Sequence, residues 1–263
     1  MTCMRGDRPH CQDPDLSPSG AARMRLLTRS HEPLFFADWK NVLMIHFEVE
    51  PGRLQQAVPF ELDLRDGRAF VSLVAFHLVG MRPRRGGRVL SRLFRADSFL
   101  NLRTYVIHER EPGIFFLAEW LSNRLSIALG PLLFGLPYRI GKLAYNHSPQ
   151  GHSRVISGRV ASAPGEGLSY WAQVDGAGTE PCARHSITEW LLERYTAFTE
   201  WRGSRRFFRV WHEPWRQTRA RVELLNWSLL GEWPFLVEGQ ICAANFSPGV
   251  EKVWMGWPHW LHK

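Results

Sequence analysis

Lysine is scarce in this chain. Only four of its 33 basic residues are lysines: Lys40, Lys142, Lys252 and Lys263. Imine chemistry needs a primary amine that is neutral near pH 7, so few residues are left to carry it. Cysteine is scarce as well. Cys3, Cys11, Cys182 and Cys242 show neither a CxxC nor a Cys/His ligand spacing. That argues against a metal site or a disulfide framework, and the expectation is reduced thiols in a cytoplasmic protein. The first thirty residues lack the apolar segment of a secretory signal. The most apolar stretch, 114–138, is interrupted by Glu119, Asn123, Arg124, Pro131 and Pro137. A membrane span needs roughly 20 clean apolar residues, so no contact with a membrane is expected. There is no internal repeat, no glycine-rich phosphate loop beyond the short Gly86-Gly87, and no Ser/His/Asp order. No cofactor and no metal are expected.

What the chain does have is apolar and aromatic mass. Of its 263 residues 44% are hydrophobic and 13% aromatic, including twelve tryptophans, enough for a sizeable core. That much indole must be largely buried, because exposed apolar patches promote association. The net charge is +8 and nearly all of the positive side is arginine. Two stretches concentrate it. Residues 82–103 carry Arg82, Arg84, Arg85, Arg88, Arg92, Arg95 and Arg103. Residues 202–221 interleave seven arginines with Phe207, Phe208, Trp211 and Trp215. Arginine beside aromatics can hold phosphates and stack bases, so a basic protein that binds nucleic acid or an acidic partner is the alternative reading. No nucleic-acid motif supports it.

Residues 1–31 are rich in Pro, Ser, Gly, Asp and Arg without periodicity and read as a disordered tail, with Met24 a candidate start. Residues 32–263 read as one domain. Phe35 to Val49 reads as one strand or two, and Pro51 to Val58 as a short helix ended by Pro59. Asp66-Gly67 is a turn signal before a long central strand, 69–79. Asn101 to His108 and Ile114 to Trp120 read as a hairpin turning at Glu111-Pro112-Gly113. Helical spacing runs from Ser122 and breaks at Pro131. Strands follow at 154–160, 168–174, 207–212 and 219–225. A helix opens at Ser186, whose spacing to Glu189 is that of a capping box. Short helices among many strands predict an α+β fold, mostly β, built on an antiparallel sheet that is curled or closed.

Several phrases go further. They are Val58-Pro59-Phe60-Glu61-Leu62, the run from Ala69 to Phe76, Asn101-Leu102-Arg103-Thr104-Tyr105-Val106, Leu136-Pro137-Tyr138-Arg139, Glu193-Arg194-Tyr195 and His212-Glu213-Pro214-Trp215. Together they resemble the YqjF-like family of uncharacterised bacterial proteins, over about residues 32 to 255. That family is placed in the acetoacetate decarboxylase-like superfamily. The resemblance implies a strongly curved, cone-like or open-barrel antiparallel sheet around a pocket. Gly130, Gly135 and Pro137 also match the frame that carries the paired lysines of the decarboxylases. Here the lysine positions read Tyr138 and Arg139, and the Arg-Glu pair after the first glycine reads Pro131-Leu132. A phenol cannot form an imine and a guanidinium stays protonated. The strand before keeps Arg103 but no glutamate beside it, so both the imine former and its acidic partner are expected to be lost. Lys142 is the remaining candidate amine.

The candidate ligand-binding residues are Asn101, Arg103, Tyr105, Tyr138 and Arg139. Alternation puts Asn101, Arg103 and Tyr105 on one strand face, which either lines a pocket or meets solvent. Arg103 and Arg139 would hold a carboxylate or phosphate through two-pronged hydrogen bonds. Tyr138 and Arg139 are the catalytic candidates, the phenol for acid/base work. His46 and His77 read as hydrogen-bonded core residues, and His212, Glu213 and Trp215 as a polar corner. The expected function is a pocket for a small anionic or carbonyl-bearing metabolite without the Schiff-base lysine pair. Whether it is an enzyme stays open.

Overall fold

Long runs of β-branched and aromatic residues make the centre of one large sheet. The computed structural model describes residues 17–29, 31–85, 97–148, 154–176 and 178–261. In chain order the strands are β1 (Phe35–Val49), β2 (Glu61–Leu62), β3 (Ala69–Pro83), β4 (Asp97–His108), β5 (Glu111–Leu121), β6 (Tyr138–Ile140), β7 (Lys142–Asn146), β8 (Val155–Ala161), β9 (Gly167–Val174), β10 (Glu180–Pro181), β11 (Thr196–Trp201), β12 (Ser204–Trp211), β13 (Arg216–Asn226), β14 (Gln240–Met255) and β15 (His259–Trp260). The helices are α1 (Pro18–Leu27), α2 (Pro51–Gln56), α3 (Arg124–Phe134), α4 (Ile187–Leu192) and α5 (Pro234–Val237). The hydrogen-bonded order is β15-β12-β11-β5-β4-β3-β1-β14-β13-β9-β8-β7. The sheet is strongly curved but open, and its curl brings β12 against β14 over two residue pairs, Val210 with Met255 and Trp211 with Trp254. Among the described residues no helix is long and apolar enough to cross a membrane.

Both faces of the central strands are buried, which explains why they read as continuous apolar runs. In β3, Val71, Leu73 and Ala75 join a cluster with β8, β9 and β13, whereas Phe70, Val74 and Phe76 join a second cluster with α4 and β12. The same split divides β4: Leu100, Leu102 and Val106 go one way, Phe99 and Tyr105 the other. Neither face of β4 meets solvent.

The structure corrects several expectations. Most neighbours are antiparallel, but β5 pairs in parallel with both β6 and β11. Parallel neighbours need a crossover, and α3 supplies it between β5 and β6. The β4–β5 hairpin turns at Glu109 and Arg110, with φ of 50° and 67°, so two residues other than glycine take the left-handed positions. Gly113 lies inside β5. A Cβ there would sit 2.5 Å from the Thr196 carbonyl oxygen, so this glycine admits β11 rather than making a turn. Helix α3 runs through Pro131 to Phe134 because partners outside the helix hold its last turn. Strands β6 and β7 carried no signal strong enough to expect them.

The expected disordered tail is corrected too. Residues 18–27 form α1, with the Ser17 side chain accepting from Gly20 N–H and Pro18 in the first turn. Both features favour a helix start. Ser19 donates to the His212 carbonyl at 2.7 Å, and Trp211 Nε1 donates to the Ser19 carbonyl at 3.1 Å. Leu26 is fully buried. Residues 1–16 lie outside the described residues. A chain beginning at Met24 loses Ser19, Ala22 and the helix cap, so its unfolding free energy should fall by about 2 kcal/mol, the scale of one large buried side chain. Urea unfolding of the two chains checks this. Equal midpoints would show that α1 adds nothing.

Candidate functional site

The second face of the curved sheet encloses a cavity of about 190 Å³. Strand register builds its polar part. Asn101 in β4 stands opposite Glu119 in β5, and Glu119 stands opposite Tyr138 in β6. The next row along carries His46, Ser72 and Arg103. Asn101, Arg103, Glu119 and Tyr138 all line the cavity, as do Arg194 and His212. Glu119 reaches it through a β-bulge. Leu102 faces Ala118 and Arg103 faces Phe116, which leaves Leu117 unpaired. The extra residue reverses the alternation. Ile114 and Phe116 face the cavity before the bulge, and Glu119 faces it after.

Arg103 is 9% exposed, and its Nε is buried without a partner. Its charge reaches the Tyr105 hydroxyl. The Tyr105 hydroxyl lies 2.6 Å from Ser72 Oγ, which lies 2.7 Å from His46 Nδ1. A neutral His46 lets these two bonds run from Tyr105 to Ser72 and from Ser72 to Nδ1. Burial, with the Arg103 charge added, pushes the His46 pKa down to about 3.

Glu119 is 4% exposed with Oε2 buried and unpartnered. Burial pushes its carboxyl up to about 8, against the pull of Arg103. It therefore holds its proton at neutral pH. Burial, followed by the nearby Glu119 and Asp97, raises the Tyr138 phenol well above its ordinary range. Burial lowers His212 to about 4. Its Nδ1 lies 2.8 Å from the Glu213 carbonyl and its ring packs against Tyr195 and Trp215. Arg194 already pairs with Asp63 at 2.6 Å and stacks over Trp190. Arg103 is thus a buried cation with no carboxylate balancing it, beside a carboxylic acid and a phenol that both keep their protons.

Helix α3 makes one wall and is fixed at both ends. Asp97 accepts from Ser122 Oγ at 2.7 Å and from Asn123 N–H at 2.9 Å, and Asn123 caps the first turn. At the other end Arg206 donates to the carbonyls of Leu132 and Leu133 at 2.7 and 3.0 Å, and Thr199 donates to that of Phe134 at 2.6 Å. These bonds satisfy carbonyls that a helix end leaves free. Gly135 closes the helix at φ 71°. Gly130 lies against the Tyr138 ring, where a Cβ would approach to 2.2 Å.

A family model, the uncharacterized conserved protein DUF2071 (COG2071), matches residues 37–251. The chain belongs to this family. The DUF2071 chain is 29% identical over 190 residues to "Uncharacterized protein YqjF" of Bacillus subtilis (strain 168), covering 71% of this chain and 76% of that protein. Among solved structures it is similar to an acetoacetate decarboxylase-like enzyme from Sphingomonas wittichii RW1, with a TM-score of 0.62 at 16% identity, covering 88% of this chain and 94% of the other. It is also similar to acetoacetate decarboxylase from Legionella pneumophila, with a TM-score of 0.60 at 13% identity, covering 89% and 90%. The enduracididine biosynthesis enzyme MppR complexed with pyruvate gives a TM-score of 0.60 at 13% identity, covering 88% and 91%. At such identities the likeness establishes the fold, an acetoacetate decarboxylase-like curved sheet.

Of the residues singled out by sequence in this DUF2071 protein, Asn101, Arg103 and Tyr138 come together on the cavity wall. Tyr105 does not line it. Its ring packs on Trp190 behind Arg103. Arg139 faces the other way: its guanidinium makes two hydrogen bonds to Glu232, at 2.5 and 2.9 Å, and lies over Trp120 and Trp233. Lys142 is exposed on β7, and among the described residues no lysine lines the cavity. His77 bonds to Ser98 at 3.1 Å. In the stretch 202–221, Arg205, Arg209 and Arg221 pair with Glu200, Glu111 and Asp175. Arg206 and Arg216 bond to backbone carbonyls. Arg206 and Arg209 serve the protein itself, whereas Arg205, Arg216 and Arg221 stay exposed. Much of the other basic stretch, residues 86–96, lies outside the described residues. Sequence reading missed Glu119, expected no glutamate beside Arg103, and did not single out Arg194. The phrase Glu193-Arg194-Tyr195 was the available signal for Arg194.

Two outcomes are expected. Glu119 binds its proton more tightly in the folded chain, so wild-type stability falls as pH rises from about 4.5 to about 8. Glu119→Gln removes that loss. The variant's advantage in unfolding free energy, read from urea titrations, should widen across this window, to a few kcal/mol. Parallel pH curves for the two proteins would refute a raised carboxyl. Gly130→Ala gains about 1 kcal/mol of helix propensity, but contact with the Tyr138 ring costs about 3 kcal/mol. A melting temperature below wild type is expected, and an unchanged or higher one would contradict the close packing.

Proposed function

We propose that this cavity binds a small anionic or carbonyl-bearing molecule in the cytoplasm, without an imine. The observation that carries the reading is Arg103: nine-tenths buried, its Nε unpartnered, its charge unbalanced by any deprotonated neighbour at neutral pH. An orphaned buried donor is costly unless something bonds to it, and a carboxylate supplies both charge and acceptors. Asn101 and the protonated Glu119 flank the same space, with Tyr138 beyond. Glu119 and Tyr138 can donate to a carbonyl oxygen or return a proton, the acid/base work that a raised carboxyl permits. The chemistry this donor set supports is proton transfer at a carbonyl or enol. MppR, similar in fold, has been solved complexed with pyruvate, which supports a small oxo acid as the kind of ligand. The free thiols of Cys182 and Cys242 fit a reducing compartment.

Thermal shift on the full chain with pyruvate, acetoacetate and simple carboxylates tests the reading, with Arg103→Gln and Arg103→Lys alongside. A ligand at about 100 times its Kd stabilises by about 2.7 kcal/mol. The shift should vanish in Arg103→Gln. Affinity should also weaken above about pH 8, where Glu119 loses its proton and neutralises Arg103, by up to about tenfold per pH unit. Glu119→Gln should bind independently of pH there. Equal shifts in wild type and Arg103→Gln would overturn the reading.

A further inference from the structure

The polar groups of the cavity are few, and the remaining lining is apolar. Val74, Phe76, Phe99, Phe116 and Phe208 form walls around the Arg103 head. Phe76 and Phe99 stack with centroids 5.4 Å apart, and Phe134 meets Phe208 edge-on at 5.2 Å. Size sets a second limit. A 150 Å³ apolar cavity accommodates benzene. A cavity of about 190 Å³ therefore takes a ring or branched chain plus a carboxyl head. Helix α3 adds a third observation. Leu125, Leu129 and Leu133 all line the cavity, yet they are 43%, 40% and 52% exposed. Apolar side chains left half in water at the rim gain from an apolar ligand surface covering them.

We infer that the ligand is a monocarboxylate with a compact apolar body, an aryl-alkyl or branched-alkyl acid of about eight to twelve non-hydrogen atoms on the size comparison above. Its carboxylate meets Arg103, and its body lies among the phenylalanines and against α3. This deepens the proposed function and rests on it. Arg194, the other cation on the lining, is paired with Asp63, so a single unpaired cation among mostly apolar walls selects against phosphorylated and short, fully polar acids. Their remaining polar atoms would be buried without partners.

The test is a titration series on the full chain by calorimetry: acetate, pyruvate, butanoate, hexanoate, benzoate, phenylacetate, phenylpyruvate, inorganic phosphate and the neutral phenylacetamide. Each added methylene up to hexanoate should tighten binding about fourfold. Phenylacetate should bind at least tenfold better than acetate and phenylacetamide. Leu129→Asn, at a half-exposed position that folding tolerates, should weaken phenylacetate several-fold and leave pyruvate unchanged. Pyruvate, acetate or phosphate binding as well as phenylacetate would overturn the apolar-body inference while leaving the anion reading intact. Phenylacetamide binding as well as phenylacetate would overturn the anion reading. Failure of every carboxylate to bind would overturn both.

Discussion

The buried charge of Arg103 is the constraint around which the rest of the site is arranged. Burying an isolated cation in an apolar interior costs several kcal/mol unless hydrogen bonds and countercharge offset it. Here countercharge is withheld, because Glu119 keeps its proton to about pH 8. The Tyr105 hydroxyl lies near the guanidinium, held by Ser72 and through it by His46. His46 and His212 stay neutral under the combined weight of burial and the Arg103 charge. None of these groups neutralises Arg103. A cation held in this way keeps its attraction for an anion that arrives later, which a buried ion pair would have lost.

The walls are as fixed as the head group. Helix α3 is pinned through Asp97 at its start and through Arg206 and Thr199 at its end. Its middle approaches Tyr138 so closely that only glycine fits at position 130. Arg206 and Thr199 explain a helix that continues through Pro131. The proline removes one backbone bond, and side chains from β11 and β12 hold the last carbonyls. Ordering the site before a ligand arrives lowers the entropy lost on binding.

Much of this was legible in the sequence, and the misses have physical causes. Alternation in 101–105 placed Asn101, Arg103 and Tyr105 on one face, and the apolar run of β3 marked a central strand. What alternation could not show is that both faces are buried, because the second layer comes from β8, β9 and β13, far along the chain. Glu119 was hidden by the Leu117 bulge. Counted strictly from Phe116, it falls on the opposite face. The β4–β5 turn carried no glycine or asparagine signal, since Glu109 and Arg110 themselves take positive φ. Helix α1 is weakly apolar, and its burial of Ala22 and Leu26 depends on β12, almost two hundred residues away.

The two residues that the resemblance sets at the decarboxylase lysine positions point to opposite faces of the sheet. Neighbouring residues of a strand point to opposite faces. Tyr138, opposite Glu119, faces the cavity, and Arg139, opposite Trp120, faces away to Glu232. The inward position is therefore a phenol, and the outward arginine ties the sheet edge to the loop before α5. With an amine absent, what converges on the cavity is a set of donors: the Arg103 guanidinium, the Glu119 carboxylic acid and the Tyr138 phenol. Burial keeps the last two protonated, and each lacks the charge that would quench Arg103. A chamber whose charged and protonated groups are donors, with Asn101 Oδ1 as an unpartnered acceptor beside them, is complementary to a ligand that offers mainly acceptors. A carboxylate or carbonyl at the head of an apolar body meets that requirement, whereas a cation or a polyol does not.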